Sequence, residues 1–87
     1  MSAPRKIVIA GSTGSIGTQA LDVIAAAPER FEVAALGSGS SVSALAEQAR
    51  RFRPAVVAIA DSSLASDLEA LLPPGTELRA GSGALAS

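Results

Sequence analysis

A short apolar run that leads directly into a glycine-rich loop stands near the beginning of this sequence. The run covers residues 7–10, IVIA, and the loop covers residues 11–17, GSTGSIG. An apolar run without alternation is typical of a parallel strand that is buried on both faces. Glycines three residues apart after such a strand indicate a turn into a helix. The chain is therefore restricted to α/β architectures built on parallel strands.

Strand and helix patterns alternate along the rest of the chain. Strands are predicted at residues 7–10, 31–36, 55–60 and 77–80. Helices are predicted from Ser15 to Ala26 or Ala27, from Val42 to Phe52 and from Leu64 to Leu72, and the segment 81–83 is predicted to lead into a further helix. The first helix is expected to bury Ile16, Val23 and Ile24, whereas Gln48 lies off the apolar side of the second. This alternation predicts half of a doubly wound, Rossmann-like parallel sheet with helices on both faces.

Length and composition limit what this domain can be. The chain has 87 residues and 48% hydrophobic content, which predicts one folded domain. A chain of this length buries a small share of its surface, so we expect residues 1–87 to form an incomplete domain.

Charge and missing residue types exclude several classes of function. Seven basic and eight acidic residues give a net charge of −1, and Phe31 and Phe52 are the only aromatic residues. Such a chain is not expected to bind nucleic acid. The absence of cysteine and histidine excludes disulfides, thiolate metal sites and histidine chemistry. The sequence shows neither a signal-peptide pattern nor an apolar run long enough to span a membrane, so a cytoplasmic location is expected.

Each glycine of the first loop has a physical role in a phosphate site. Gly11 allows a sharp turn out of the strand, Gly14 leaves room for a pyrophosphate, and Gly17 allows close helix packing. The N–H groups from Thr13 to Ile16 then point at phosphate oxygens from the positive end of a helix. A purely structural turn is the alternative. No Lys-Ser or Lys-Thr pair follows the loop, and no nucleophile elbow is present, so phosphoryl transfer and triad hydrolysis are disfavoured.

The second loop bears on the choice of nucleotide. An NAD site places an acidic residue after the second strand to hold the ribose 2′-hydroxyl, but residues 36–41 read LGSGSS. The lack of a carboxylate favours NADP, with Ser40, Ser41 and the start of the second helix as donors to a 2′-phosphate. Arg50, Arg51 and Arg53 form a basic cluster from which one arginine could reach this phosphate, but a solvated helix end is the favoured interpretation of the cluster. The alternative is that residues 37–41 form only a flexible helix cap.

The acidic residues have structural roles in this interpretation. No pair of them is placed for metal binding or acid–base chemistry, and Asp61 and Ser62 are candidate helix caps. We therefore expect neither catalytic nor metal-binding residues in this chain.

Three segments resemble the 1-deoxy-D-xylulose 5-phosphate reductoisomerase family. They are residues 6–24, KIVIAGSTGSIGTQALDVI, residues 28–36, PERFEVAAL, and residues 45–48, LAEQ. The resemblance implies an NADPH-binding N-terminal part of a longer protein. The cofactor-binding residues that it implies are Thr13, Gly14, Ser15, Ile16, Gly39, Ser40 and Ser41.

The same resemblance implies a reaction. Family members rearrange a sugar phosphate and reduce the product with NADPH, in the non-mevalonate route to isoprenoids, with a divalent metal such as Mg²⁺ or Mn²⁺ and as homodimers. Their metal-binding acids and substrate groups correspond to no residue of this chain, so the 87 residues are not expected to catalyse alone. Many members have a basic residue and an asparagine where this chain has Ser40 and Ser41.

Two other interpretations remain at this point. The chain is then either the nucleotide-binding module of another NADP-dependent dehydrogenase, such as a semialdehyde dehydrogenase, or a nucleotide-sensing module without chemistry of its own. A catalytic cysteine further along a longer chain would indicate the first.

Overall fold

The fold is a parallel four-stranded sheet connected by helices. A computed structural model describes residues 4–81, and the helix predicted after residue 81 lies outside them. The strands are β1 (Arg5–Ile9), β2 (Phe31–Ser38), β3 (Val56–Ile59) and β4 (Glu77–Ala80), and the helices are α1 (Ser15–Ala26), α2 (Val42–Phe52) and α3 (Ala65–Glu69). A 3₁₀ turn (Ser62–Leu64) precedes α3. The predicted alternation of strands and helices is confirmed.

Helix boundaries follow local chemistry. α2 ends where Arg53 adopts a left-handed conformation with φ of 49°, directly before Pro54. The Asp61 side chain accepts a hydrogen bond from the Ser63 N–H at 3.0 Å, which confirms its predicted capping role. This cap begins a 3₁₀ turn, and α3 ends at Glu69 rather than continuing to Leu72 as predicted.

All three helices pack against one face of the sheet. The strand order is β1-β2-β3-β4, and each neighbouring pair is parallel. Because each right-handed crossover advances the sheet by one strand in the same direction, successive helices lie on the same face. One core cluster joins them, with Leu21 and Ile24 from α1, Leu45, Ala46 and Ala49 from α2, Leu68 from α3, and Ile9, Val33, Leu36, Val57 and Ile59 from the strands. The expected second layer of helices is not among residues 4–81.

The opposite face of the sheet carries apolar residues that no described helix covers. β1 forms one edge of the described sheet, and its Val8 is 57% exposed. β1 is therefore not buried on both faces within residues 4–81, contrary to the expectation from its apolar sequence.

Among the helices of this part of the chain, none is long and apolar enough to cross a membrane.

The contact at Gly17 decides which side of α1 faces the core. A Cβ at this position would lie 2.3 Å from the Gly11 carbonyl oxygen and 2.7 Å from the Ser12 Cα. The glycine side of the helix therefore rests on the loop, and Leu21 and Ile24 are buried with it. The prediction that Ile16 and Val23 are buried is wrong, since they are 84% and 65% exposed.

A methyl group at residue 17 is expected to force the helix away from the loop. We predict that Gly17→Ala lowers the free energy of unfolding by about 2–3 kcal/mol, because the overlap is with backbone atoms that cannot rotate aside. Urea unfolding measures this change. Gly39→Ala is the matched control, since its Cβ meets no atom within 4 Å, and equal losses in both variants would contradict the argument.

Candidate nucleotide-binding site

The two glycine-containing loops meet side by side at the carboxyl ends of β1 and β2. The Ser12 N–H donates to the Gly37 carbonyl oxygen at 2.8 Å, and the hydroxyls of Thr13 and Ser38 are 2.9 Å apart. Adjacent parallel strands end at the same edge of a sheet, which is where α/β proteins bind ligands. The structure thus brings the residues predicted from both loops to one edge.

The first loop has backbone donors without partners at the start of α1. Within residues 4–81, the N–H groups of Thr13, Ser15 and Ile16 have no acceptor in the chain. The Gly14 N–H differs from the others, because it donates to the Gly11 carbonyl oxygen at 3.1 Å. Free N–H groups at the positive end of a twelve-residue helix form a site for an anion.

The glycines of this loop have different physical roles. Gly11 adopts a φ of 73°, as expected for a sharp turn out of the strand, and Gly17 lets α1 approach the loop. A Cβ at Gly14 would lie 3.5 Å from the Gly11 carbonyl oxygen, an ordinary contact. The protein itself therefore does not require glycine at position 14, and the space there is available to a ligand.

The second loop is held in place by the residues that follow β3. The Ala60 N–H donates to the Ser38 carbonyl oxygen and the Asp61 N–H to the Gly39 carbonyl oxygen, both at 3.0 Å. The Ser41 N–H donates to the Ser38 hydroxyl at 3.2 Å. These bonds oppose the alternative of a flexible cap. They leave Ser40 and Ser41 exposed at the start of α2.

Ser38 connects the two loops and was not predicted as a site residue. It is 8% exposed, and its hydroxyl contacts both the Thr13 hydroxyl and the Ser41 N–H. The sequence could have indicated this role, because Ser38 ends β2 and the ends of neighbouring parallel strands lie side by side. This hydroxyl sets the distance between the first loop and the start of α2.

Gln48 was also missed, because its position was assigned to the polar side of α2. Its Nε2 donates to the Ser12 carbonyl oxygen at 2.8 Å, whereas its Oε1 is buried without a partner in the described structure. Ser12 itself is fully buried, and its hydroxyl donates to the Gly37 carbonyl oxygen at 3.3 Å. α2 is therefore joined to the first loop by the hydrogen bond from the Gln48 side chain to the Ser12 backbone.

The basic cluster lies at the wrong end of α2 to reach this site. Arg50 and Arg51 are in the last turn of the helix, and Arg53 follows it. At about 1.5 Å per residue, their positions lie roughly 12–16 Å along the helix axis from Val42. Arg50 instead donates to the Leu71 carbonyl oxygen at 3.3 Å.

In the part of the chain that the structure describes, no group of three metal-ligating side chains occurs.

Comparison with known proteins agrees with this geometry. The sequence model of the family 1-deoxy-D-xylulose 5-phosphate reductoisomerase matches residues 7–87. The chain belongs to this family. It is 51% identical over 83 residues to the reductoisomerase of Anaeromyxobacter sp. (strain K), covering 94% of this chain and 21% of that protein. It is 62% identical over 66 residues to that of Symbiobacterium thermophilum, covering 76% of this chain and 17% of that protein.

A solved reductoisomerase has the same fold over this part of its chain. The structure from Zymomonas mobilis in complex with NADPH superposes with a TM-score of 0.89 at 40% identity, over 94% of this chain and 22% of that chain. The parallel Rossmann-like architecture is thereby confirmed. The chain spans about a fifth of the length of the reductoisomerases that it matches. These matches do not favour a semialdehyde dehydrogenase module or a sensing module.

Removal of the Ser38 hydroxyl is expected to loosen the junction between the loops. We predict that Ser38→Ala lowers the free energy of unfolding by about 1 kcal/mol and speeds hydrogen exchange at the Ser41 amide, because that amide loses its acceptor. A double-mutant cycle with Thr13→Val measures the hydroxyl pair. Ser43→Ala is the control, since that exposed hydroxyl has no hydrogen bond in the described structure, and additive effects in the cycle would contradict the coupling.

Proposed function

We propose that this chain is the NADPH-binding portion of a 1-deoxy-D-xylulose 5-phosphate reductoisomerase, which converts that sugar phosphate to 2-C-methyl-D-erythritol 4-phosphate. The observation that carries the proposal is the set of free N–H groups at Thr13, Ser15 and Ile16, beside a second loop without a carboxylate. The NADPH bound to the Zymomonas mobilis relative supports it. NADPH supplies the hydride for the reduction.

The first loop is proposed to hold the pyrophosphate of the cofactor. The N–H groups of Thr13, Ser15 and Ile16 donate to its oxygens, and the open space at Gly14 lets the phosphate approach the backbone. The hydroxyl of Ser15 is exposed beside them. Because these donors are fixed before the ligand arrives, little conformational entropy is lost on binding.

The second loop is proposed to hold the adenosine 2′-phosphate through Gly39, Ser40 and Ser41. Its backbone is fixed to the end of β3, and the first turn of α2 adds a partial positive charge. No carboxylate stands in this loop to repel the phosphate. The donors are neutral, since positions 40 and 41 are both serine.

We propose that residues 1–87 form an incomplete NADP(H)-binding domain, and that the catalytic and C-terminal domains of the family are supplied by further chain. The exposure of Val8 on the uncovered face of the sheet and of Val23 on α1 supports this, because large apolar side chains that are open to solvent are often covered by further chain. By itself the chain is expected to bind the cofactor without turnover.

The remaining features of the family are proposed for the whole protein. A divalent metal has no suitable ligand group within residues 4–81, so other residues must hold it, and a solved reductoisomerase contains magnesium. The substrate is a sugar phosphate, and the protein is proposed to be a homodimer without nucleic-acid or membrane partners. A cytoplasmic location is proposed from the sequence pattern, although a plant relative from Mentha piperita is named chloroplastic.

The proposal predicts that NADPH binds more tightly than NADH. Donors around the 2′-phosphate are expected to give a preference of about tenfold, since a hydrogen bond to a charged group contributes about 1.5–3 kcal/mol. Titration of the chain, followed by the fluorescence of the reduced nicotinamide, measures both dissociation constants. No saturable binding, or a preference for NADH, would overturn the proposed function.

A positive charge in the second loop is expected to increase that preference. We predict that Ser40→Lys tightens NADPH binding about fivefold and leaves NADH binding unchanged, because the ammonium group pairs with the 2′-phosphate. The gain should shrink at high salt. Ala70→Lys, which adds the same charge at an exposed position after α3, is the matched control. An equal gain for NADH would show that the lysine acts elsewhere.

A further inference from the structure

The side chain of Gln48 makes one hydrogen bond in a place where a half-satisfied amide is costly. Its Nε2 donates to the Ser12 carbonyl oxygen at 2.8 Å, and its Oε1 is buried with no partner in the part of the chain that the structure describes. A buried acceptor without a partner costs free energy, which an apolar side chain of similar length avoids. The same replacement would remove the donor to the buried Ser12 carbonyl oxygen, so the two costs offset each other and Gln48 contributes little net stability.

The hydrogen bond from Gln48 fixes the peptide group that carries the Thr13 N–H. This peptide is trans, so its C=O and N–H point in opposite directions. With the carbonyl of Ser12 directed at α2, the Thr13 N–H is directed away from that helix. The preceding peptide is held as well, since the Ser12 N–H donates to the Gly37 carbonyl oxygen.

We propose that Gln48 is a positioning residue that aims the Thr13 N–H at the pyrophosphate of the bound dinucleotide. This inference rests on the proposed function. Without the Nε2 donor, the buried Ser12 carbonyl has no partner among residues 4–81, and the peptide gains by rotating toward water. Such a rotation turns the Thr13 N–H away from the anion, while the second loop keeps its own hydrogen bonds to the end of β3.

The test separates the two halves of the ligand. Inorganic pyrophosphate probes the first loop, adenosine 2′-monophosphate probes the second, and NMR titration of the ¹⁵N-labelled chain follows both. The variants are Gln48→Met, which keeps the length and removes the amide, and Gln48→Glu, which also puts a negative charge against the Ser12 carbonyl. Gln19→Met is the matched control, because Gln19 is exposed on α1 and has no hydrogen bond in the described residues.

We expect Gln48→Met to weaken pyrophosphate binding about tenfold. Gln48→Glu should weaken it further, and the Thr13 amide resonance should no longer shift with pyrophosphate in either variant. Binding of adenosine 2′-monophosphate should stay within about twofold of the parent chain, because the two loops contact different groups. The thermal midpoint of Gln48→Met should move by less than about 5 °C, since the variant loses an unpaired acceptor as well as a donor.

If the parent chain binds NADPH, two outcomes would overturn the inference about Gln48 and leave the proposed function intact. One is unchanged pyrophosphate binding by Gln48→Met, and the other is an equal loss for both probes, which would mark Gln48 as merely structural. A parent chain that binds neither NADPH nor pyrophosphate overturns the proposed function, and this inference falls with it.

Discussion

Every polar group of Ser12 is paired inside the chain, although this residue lies in a loop. Its N–H and hydroxyl both donate to the Gly37 carbonyl oxygen, and its carbonyl oxygen accepts from Gln48. Gly17 then packs α1 against the Ser12 backbone, at a distance that excludes any side chain. The loop is therefore attached to β2, α1 and α2 at once. The free donors of Thr13, Ser15 and Ile16 follow a residue that is buried and fully hydrogen-bonded, which restricts where they can lie.

The second loop is also fixed by hydrogen bonds, because β2 extends as far as its first residues. The strand continues to Ser38, whose carbonyl oxygen and hydroxyl are bound by Ala60 and Ser41. Because β1, β2 and β3 are adjacent and parallel, the segments that follow them lie in a row along one edge. Two sets of donors at that edge suit a ligand with two separate anionic groups. A dinucleotide with a 2′-phosphate has this form.

Local patterns predicted the parts of the structure that depend on neighbours in sequence. The bounds of α2, the turn at Gly11 and the cap at Asp61 were predicted from proline, glycine and aspartate chemistry and are confirmed. The exposure of Ile16 and the inward direction of Gln48 were not predicted. Both depend on how α1 and α2 are rotated about their axes, and contacts with residues distant in sequence decide that rotation. The spacing of apolar residues alone can therefore assign the buried side of a helix to residues one position away from the correct ones.

Neutral donors and a lysine bind a phosphate by different physics. A lysine attracts a phosphate over several ångströms, and salt weakens this attraction, whereas a hydroxyl or an N–H acts only at hydrogen-bond distance and angle. In the proposed site, Ser40 and Ser41 therefore select a 2′-phosphate only if their backbone is already in position. The hydrogen bonds from Ala60, Asp61 and Ser41 to the start of this loop supply that rigidity. A lysine at position 40 would depend less on such anchoring, because long-range attraction tolerates a displaced loop.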